Sequence, residues 1–386
     1  MSRTPPPAAS TWRSGVYIGR FLGIRFYLDY SWFLIAAILV YSLSTGYFGP
    51  ALPGVPRALI WLLGGTAALL FFLSILLHEL GHSVVSQRCG IRVPRITLLF
   101  IGGIAEISRE PDDPNSELKI AVAGPAVTLV LVLLFGVAAW LCHALGIAAG
   151  VLVFKWLALV NLSLLVFNAL PGYPLDGGRV LRALIWARTG NFRRATHITS
   201  RIGVALSWVL IVLGFLSLFH GAWNAFVFFL IGIFLKNAAE SGYTQALYKE
   251  ALAGVHVRDI MTKDPVWVPA SMPASRAVDE FFLVNHHIAF PVCDGDTRDF
   301  RGLLRMEFLK EVPREKWPYT SAGDIVAAAG SAGLSLSANE TAARALRRLL
   351  VPGQGRLAVL EDGKLAGMLT RADVLQFIRI HTELEP

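Results

Sequence analysis

The chain has 386 residues, 54% of them hydrophobic and only 16% charged, with a mean hydropathy of +0.55, which excludes an ordinary soluble enzyme and indicates a membrane protein. The formal charge of +8 does not mark a nucleic-acid binder, because the arginines gather in loops flanking apolar stretches, where membrane topology accounts for them. Cys89, Cys142 and Cys293 are scattered, giving neither a disulfide framework nor a cysteine-based zinc site.

Residues 1–29 are comparatively polar and basic, with Arg3, Arg13, Arg20 and Arg25, and are expected to form a cytoplasmic N-terminal segment. Six apolar stretches that reach or approach spanning length follow, at about 30–48, 58–87, 118–144, 149–170, 203–219 and 222–237. The first lacks a small-residue cleavage site and reads as an uncleaved signal anchor. Connections after the second and fourth stretches carry Arg88, Arg92, Arg95 and Arg109, then Arg179, Arg182, Arg188, Arg193, Arg194 and Arg201, whereas the other three are almost uncharged. The positive-inside rule then places both termini in the cytoplasm, around a plasma-membrane domain covering 30–248.

The second stretch ends in His78-Glu-Leu-Gly-His82. Residues four apart on a helix share a face, about 6 Å apart along the axis, so the two imidazoles can share one zinc ion. Glu79, adjacent to a ligand but not itself one, is placed as general base on a water that zinc activates. Ionisable groups within a span cost on the order of 3 kcal/mol each, so a cluster without function is improbable there. Segment 92–107, with Gly102-Gly103 inside it, is β-branched, apolar and too short to cross twice. It reads as a re-entrant strand or hairpin whose open edge can take an unwound peptide as an added strand. The glycines are a tight turn on one reading and a substrate contact on the other.

A catalytic zinc wants three protein ligands. In Asn168-Ala-Leu-Pro171-Gly-Tyr-Pro174-Leu-Asp176-Gly177-Gly178-Arg179 the one acid is Asp176. The second and fourth stretches run in the same direction, so their ends meet at one membrane face. Prolines and glycines break the helix around the carboxylate and free it to turn. Two structural readings stand beside this: Asp176 as the N-cap of a helix starting near Gly177, or as ion-pair partner of Arg179 or Arg182. Asn168 has its own, a hydrogen bond at the helix end. Lys155 is expected to snorkel outward and Asn161 to bond across helices. His143 and His220 fall at the outer face, and His286-His287 at the surface.

From about Val255 the chain turns to soluble α/β alternation, expected over 255–380. Asp259-Ile-Met recurs as Asp324-Ile-Val, Ala277 as Ala342, and Gly302-Leu-Leu as Gly367-Met-Leu, an offset of about 65 residues that marks two copies, about 255–318 and 319–380. The period and Gly367-Met-Leu-Thr370-Arg-Ala-Asp373 resemble a tandem of cystathionine-beta-synthase (CBS) domains. The resemblance implies that Thr370 and Asp373 contact the phosphate and ribose of an adenine nucleotide, and that the pair mediates a homodimer. The first copy has Arg305 where Thr is expected and Phe308 where Asp is expected, so one nucleotide site is implied, in the second copy.

The HExxH segment together with the Asn168-to-Gly178 segment resembles the site-2 protease family of intramembrane zinc metalloproteases, in its subgroup with C-terminal CBS domains. What the resemblance implies is a polytopic α-helical membrane protein of about six transmembrane helices with a re-entrant β segment, followed by an α/β CBS pair. His78, His82 and Asp176 become the zinc ligands, Glu79 the catalytic acid/base, and Asn168 a residue lining the site as donor to substrate or oxyanion. Gly124-Pro125 resembles a Gly-Pro motif of the family, with Thr128 where many members have Asn or Ser, a difference that touches only packing. The implied activity is cleavage of a single-span, membrane-tethered protein, such as a transcription regulator, within or near its transmembrane segment, with the CBS pair as regulatory module. A CBS-gated transporter would need polar residues repeated over several spans with inverted symmetry, and neither is evident. A zinc-free binding scaffold has no use for an intact His78, Glu79, His82 and Asp176 set.

Overall fold

The computed structural model describes residues 15–99, 102–218, 224–295, 298–330 and 333–384, which divide into two units, up to Ala246 and from Leu247 onward. The first 14 residues, Phe100, Ile101, His220 and the start of the sixth expected stretch lie outside the described residues.

The first unit begins with a hairpin of β1 (Val16–Phe21) and β2 (Ile24–Leu28). Its two-residue turn puts Leu22 at φ 50 and Gly23 at φ 80, the left-handed pair that matches the twist of a tight hairpin. Asp29 then caps α1 (Tyr30–Ser42), accepting from the Ser31 amide at 2.9 Å, and the helix runs through a wide turn into α2 (Gly49–Ala51). The long helix α3 (Arg57–Arg88) is followed by β3 (Arg95–Leu99) and β4 (Gly102–Glu106). Next come α4 (Pro114–Ala144), capped by Asp113, and α5 (Ala148–Asn168). The shorter α6 (Asp176–Thr189) ends at Gly190, whose φ of 67 closes it, before α7 (Phe192–Leu218) and α8 (Asn224–Ala251).

Among the described residues, five segments, Tyr30–Ala51, Arg57–Arg88, Pro114–Ala144, Ala148–Asn168 and Phe192–Ser217, are long and apolar enough to cross a membrane. They turn large apolar side chains outward, including Leu133, Trp140 and Leu159, as lipid-facing helices do. Their contacts with one another use small residues. On α3 the buried residues Gly64, Ala67, Ala68, Phe72, Ser74, His78 and His82 form one stripe at helical spacing. A β-carbon on Gly81 would fall 2.9 Å from Val127 and 3.0 Å from the Ala123 carbonyl, so α3 and α4 touch backbone to backbone there.

The four strands form one sheet in the order β1-β2-β3-β4, with β2 parallel to β3 from Arg25 opposite Arg95 to Leu28 opposite Leu98, and β3 antiparallel to β4. Within the expected N-terminal segment, residues 16–28 thus form two strands; the further partner of β2 lies some 70 residues on, beyond local pattern reading. Segment 92–107 does supply a hairpin. Ile24, Phe26, Val93 and Ile96 pack the sheet onto Leu76 and Leu80 of α3, on either side of His78, and Arg95 pairs with Glu106 at 2.7 Å across the hairpin.

In the second unit α9 (Val257–Ile260), β5 (Thr262–Lys263) and β6 (Val268–Pro269) lead into α10 (Ala274–Ala277) and α11 (Leu283–Asn285). A hairpin of β7 (Ala289–Asp294) and β8 (Asp299–Arg305) precedes α12 (Met306–Glu311). The plan repeats as α13 (Ala322–Ala328), β9 (Ser335–Ser337), α14 (Ala342–Leu349), β10 (Arg356–Glu361), β11 (Lys364–Thr370) and α15 (Arg371–Leu384). The strands join in the order β6-β7-β8-β11-β10-β9.

The repeated aspartates have a structural reason. Asp259 accepts from the His256 amide at 2.9 Å, and Asp324 exchanges bonds with Ser321, so each closes a helix start. The cores of the copies are interleaved: Val257 of the first packs with Leu336, Leu346, Leu369 and Val374 of the second. Conversely, Ala322, Ile325 and Val326 pack with Val268, Phe290, Val292 and Leu304 of the first.

Candidate metal centre

Three side chains from two distant segments meet in the first unit. His78 Nε2 lies 3.2 Å from Asp176 Oδ2, His82 Nε2 lies 3.2 Å from Asp176 Oδ1, and the two Nε2 atoms are 3.2 Å apart. All three residues are buried, and they are the group of ligating residues among those described that comes close enough to hold a metal ion.

Proton bookkeeping shows what this cluster needs. His82 Nδ1 lies 2.6 Å from the carbonyl of Ile120, which can only accept, so His82 carries its proton on Nδ1. The Thr128 hydroxyl donates to the Gly124 carbonyl at 3.3 Å and therefore accepts from His78 Nδ1 at 2.8 Å. Both Nε2 atoms are left as bare lone pairs, facing each other and a carboxylate with no proton between them. A cation satisfies all three at once. Ligands about 2.0–2.1 Å from a tetrahedral zinc stand roughly 3.3–3.4 Å apart, close to the spacing found here, so the residues present fit that metal. The bonds through Nδ1 to Ile120 and Thr128 are the outer contacts that orient metal-binding histidines. Thr128 therefore orients His78, a larger part than the packing detail read from sequence.

Glycines let the backbone come this close. A β-carbon on Gly124 would lie 2.2 Å from His82 Nε2 and 2.8 Å from His78 Cε1, so only glycine lets α4 pass over both rings. On the other side, a β-carbon on Gly103 would lie 2.4 Å from Glu79 Cγ. The backbone of β4 thus rests on the Glu79 side chain, and β4 pairs with β3 on one edge alone among the described residues. Gly103 is accordingly more than a turn residue.

Asp176 is the first residue of α6, with Leu175 in the cap position making no side-chain bond, so Asp176 is not the cap considered from sequence. Its place in the first turn favours a negative charge. Nor does it pair with arginine. Arg182 instead donates through Nε to Glu117 Oε1 at 2.8 Å and makes a second, shorter bond from Nη2, while Arg179 Nε stands 4.0 Å from the same oxygen. Glu117 is fully buried in α4, and the Arg182 guanidinium is sandwiched between the rings of Tyr173, 5.0 Å away, and Phe192, 4.9 Å away. This pair ties α6 to α4. Sequence reading passed over it, although an acid directly at the start of an apolar stretch was the available signal. Gly177 and Gly178 complete the fit, since a β-carbon on either would lie within 2.3 Å of the backbone of Ala169 or Gly172.

Other expected residues fall differently. Asn168 ends α5, partly exposed, with no side-chain hydrogen bond among the described residues. Asn161 is buried and donates to the Leu157 carbonyl at 2.8 Å, with Ser74 of α3 at 3.5 Å, the cross-helix contact expected of it. Lys155 is exposed. In the second unit Thr370 and Asp373 bond each other: the Thr370 amide donates to Asp373 Oδ2 at 2.8 Å, and the Asp373 amide to Thr370 Oγ1 at 3.2 Å, a reciprocal cap for α15.

Comparison with known proteins accords with this architecture. The model of peptidase family M50 matches residues 66–148 and 146–210, and the CBS domain model matches 257–307 and 332–380. Rip3 of Mycobacterium tuberculosis is 34% identical, across 97% of this chain and 95% of that protein. Zinc metalloprotease MJ0392 of Methanocaldococcus jannaschii is 28% identical, across 81% of this chain and 84% of its own length. Among solved structures, the site-2 protease of Methanocaldococcus jannaschii aligns over 59% of this chain and 95% of its own, with a TM-score of 0.41 and 26% identity. Long apolar helices, a histidine–carboxylate cluster at the end of one of them, a repeated α/β unit and an end-to-end relative lead to one assignment: the chain is a multi-pass membrane metalloprotease of peptidase family M50, the site-2 proteases, carrying a tandem of CBS domains.

Proposed function

We propose that the protein is a zinc-dependent intramembrane endopeptidase that cuts a membrane-tethered, single-span protein within or near its transmembrane segment, as a step of regulated intramembrane proteolysis. The observation that carries this reading is the convergence of three lone-pair donors at 3.2 Å, with the outer nitrogens of both histidines already engaged. His78, His82 and Asp176 would hold the ion. Zinc, when bound, supplies Lewis-acid polarisation and makes a water acidic near neutral pH.

The rest is the work of the chain. Glu79 takes the proton of the attacking water and returns it to the leaving amine. The side-chain amide of Asn168 donates to the carbonyl oxygen as it gains charge. A peptide locked in a helix cannot be cut, and unwinding it in lipid costs several kcal/mol for each orphaned backbone group. The free edge of β4 meets that cost by pairing with the unwound substrate as an added strand, and Gly103 sets that edge against Glu79. Arginine-rich connections support cytoplasmic termini, with the site opening to the cytoplasm.

The CBS pair is proposed as the regulatory module, binding one adenine nucleotide in its second copy and joining two chains in a homodimer. Capping leaves the hydroxyl hydrogen of Thr370 free to reach a phosphate and the second carboxylate oxygen of Asp373 free to reach a ribose hydroxyl.

The test co-expresses wild type and Glu79→Gln with a library of single-span membrane proteins. Fragments present only with wild type are the expected result; identical fragment profiles overturn the reading for that library. Metal analysis runs beside it, with one zinc per chain expected in both proteins and none in His78→Ala/His82→Ala.

A further inference from the structure

A groove of about 620 Å³ opens between the end of α3 and the first turns of α4. Its apolar walls are Val85, Leu118, Val122 and Ala123, and its two cations, Arg88 and Lys119, come from opposite helices. Both are exposed, and neither is in an ion pair among the described residues. Asp113, the carboxylate that feels Lys119, already caps α4 by accepting from the Ser116 amide at 2.9 Å.

Position identifies the occupant. Arg88 is the last residue of α3, Lys119 lies in the second turn of α4, and one connection joins these two ends, so both charges stand at one membrane face. There hydrocarbon gives way to headgroups. An apolar trough between spanning helices suits an acyl chain, and two unpaired cations at its headgroup level suit a phosphate carrying a net negative charge. A zwitterionic headgroup brings its own ammonium, which two cations repel. We infer that this groove seats one anionic glycerophospholipid, its chain along Val85, Leu118 and Val122 and its phosphate between Arg88 and Lys119. The site also bears on the metal centre, because Ile120, next to Lys119, holds His82 through its carbonyl. A seated lipid braces the seam between α3 and α4 that orients that ring.

The experiment uses the purified full chain in detergent, with retained lipid counted by native mass spectrometry and Tm followed in parallel. Dioleoylphosphatidylglycerol should be retained at one per chain and raise Tm, and dioleoylphosphatidylcholine should do neither. Arg88→Gln and Lys119→Gln should each weaken retention about fivefold. Val122→Trp should block the trough with both charges intact, and Arg188→Gln, a charge at the far end of α6, should change nothing. Equal retention of the two lipids overturns the inference, as does unchanged retention in the double Arg88→Gln/Lys119→Gln variant. So does an equal loss in Arg188→Gln, which would mean diffuse charge, or an equal Tm rise with inorganic phosphate alone, which would mean a free-anion site.

Discussion

Two residues that carry no catalytic group shape the candidate metal centre as firmly as the three side chains that would hold the ion. Gly124→Ala places a methyl deep inside the van der Waals envelope of His82 Nε2 and forces the ring aside, so the variant should fold and reach the membrane but lose stoichiometric zinc in metal analysis. Thr128→Val keeps the shape of the side chain and removes the partner of His78 Nδ1. Zinc affinity should fall about 10–100-fold in a chelator competition, and Thr128→Ser should restore most of it. That His78 and His82 share a face was legible because spacing on one helix is a local property, and Asp176 drew notice because it was the one acid in a helix-breaking segment; the structure brings the three together. Thr128, Gly103 and Gly124 were not legible, since the need for a hydroxyl or a missing β-carbon arises only when a second element is laid against the first.

At the scale of elements, the decisive contact is α6 against α4. Arg182→Met strands the buried Glu117 carboxylate, which should destabilise the protein by about 3–5 kcal/mol and lower Tm in detergent. Adding Glu117→Gln should recover more than half of that loss, because a neutral amide is cheaper to bury alone. If the double variant melts no higher than the single, the pair does not act through charge. Long apolar helices announced themselves by composition, with five of spanning length among the described residues where six stretches were expected, whereas the β1–β2 hairpin did not: it is short and owes its form to a partner distant in sequence, Arg95–Leu98 for β2.

For the whole molecule, the C-terminal unit offers its own reporter. Cys293 is fully buried against Ala358 and Leu365 of the other copy, and burial pushes its thiol up to about 11, opposed by Arg298 and aided by Asp294 and Asp299. The folded form thus keeps a neutral thiol after the unfolded form has ionised. Stability from this group is present below the ordinary thiol pKa and is lost as pH rises towards 11. Melting of the C-terminal unit should therefore fall over that window, and Cys293→Ala should flatten the decline. At pH 8 iodoacetamide should leave Cys293 unlabelled until the unit unfolds. The 65-residue repeat was plain in sequence, yet repetition alone could not say that each copy completes the core of its neighbour. Residues 319–384 expressed alone should give the circular dichroism of an unfolded chain, while 247–384 folds.

That exchange of core residues also constrains how such a module can be gained. A single copy grafted onto a membrane enzyme would bring an exposed apolar face and no stable fold, so recombination that cuts at the repeat boundary yields nothing selection can keep. Only the pair can move as a working piece, and a change in the core of one copy must be accommodated by residues of the other.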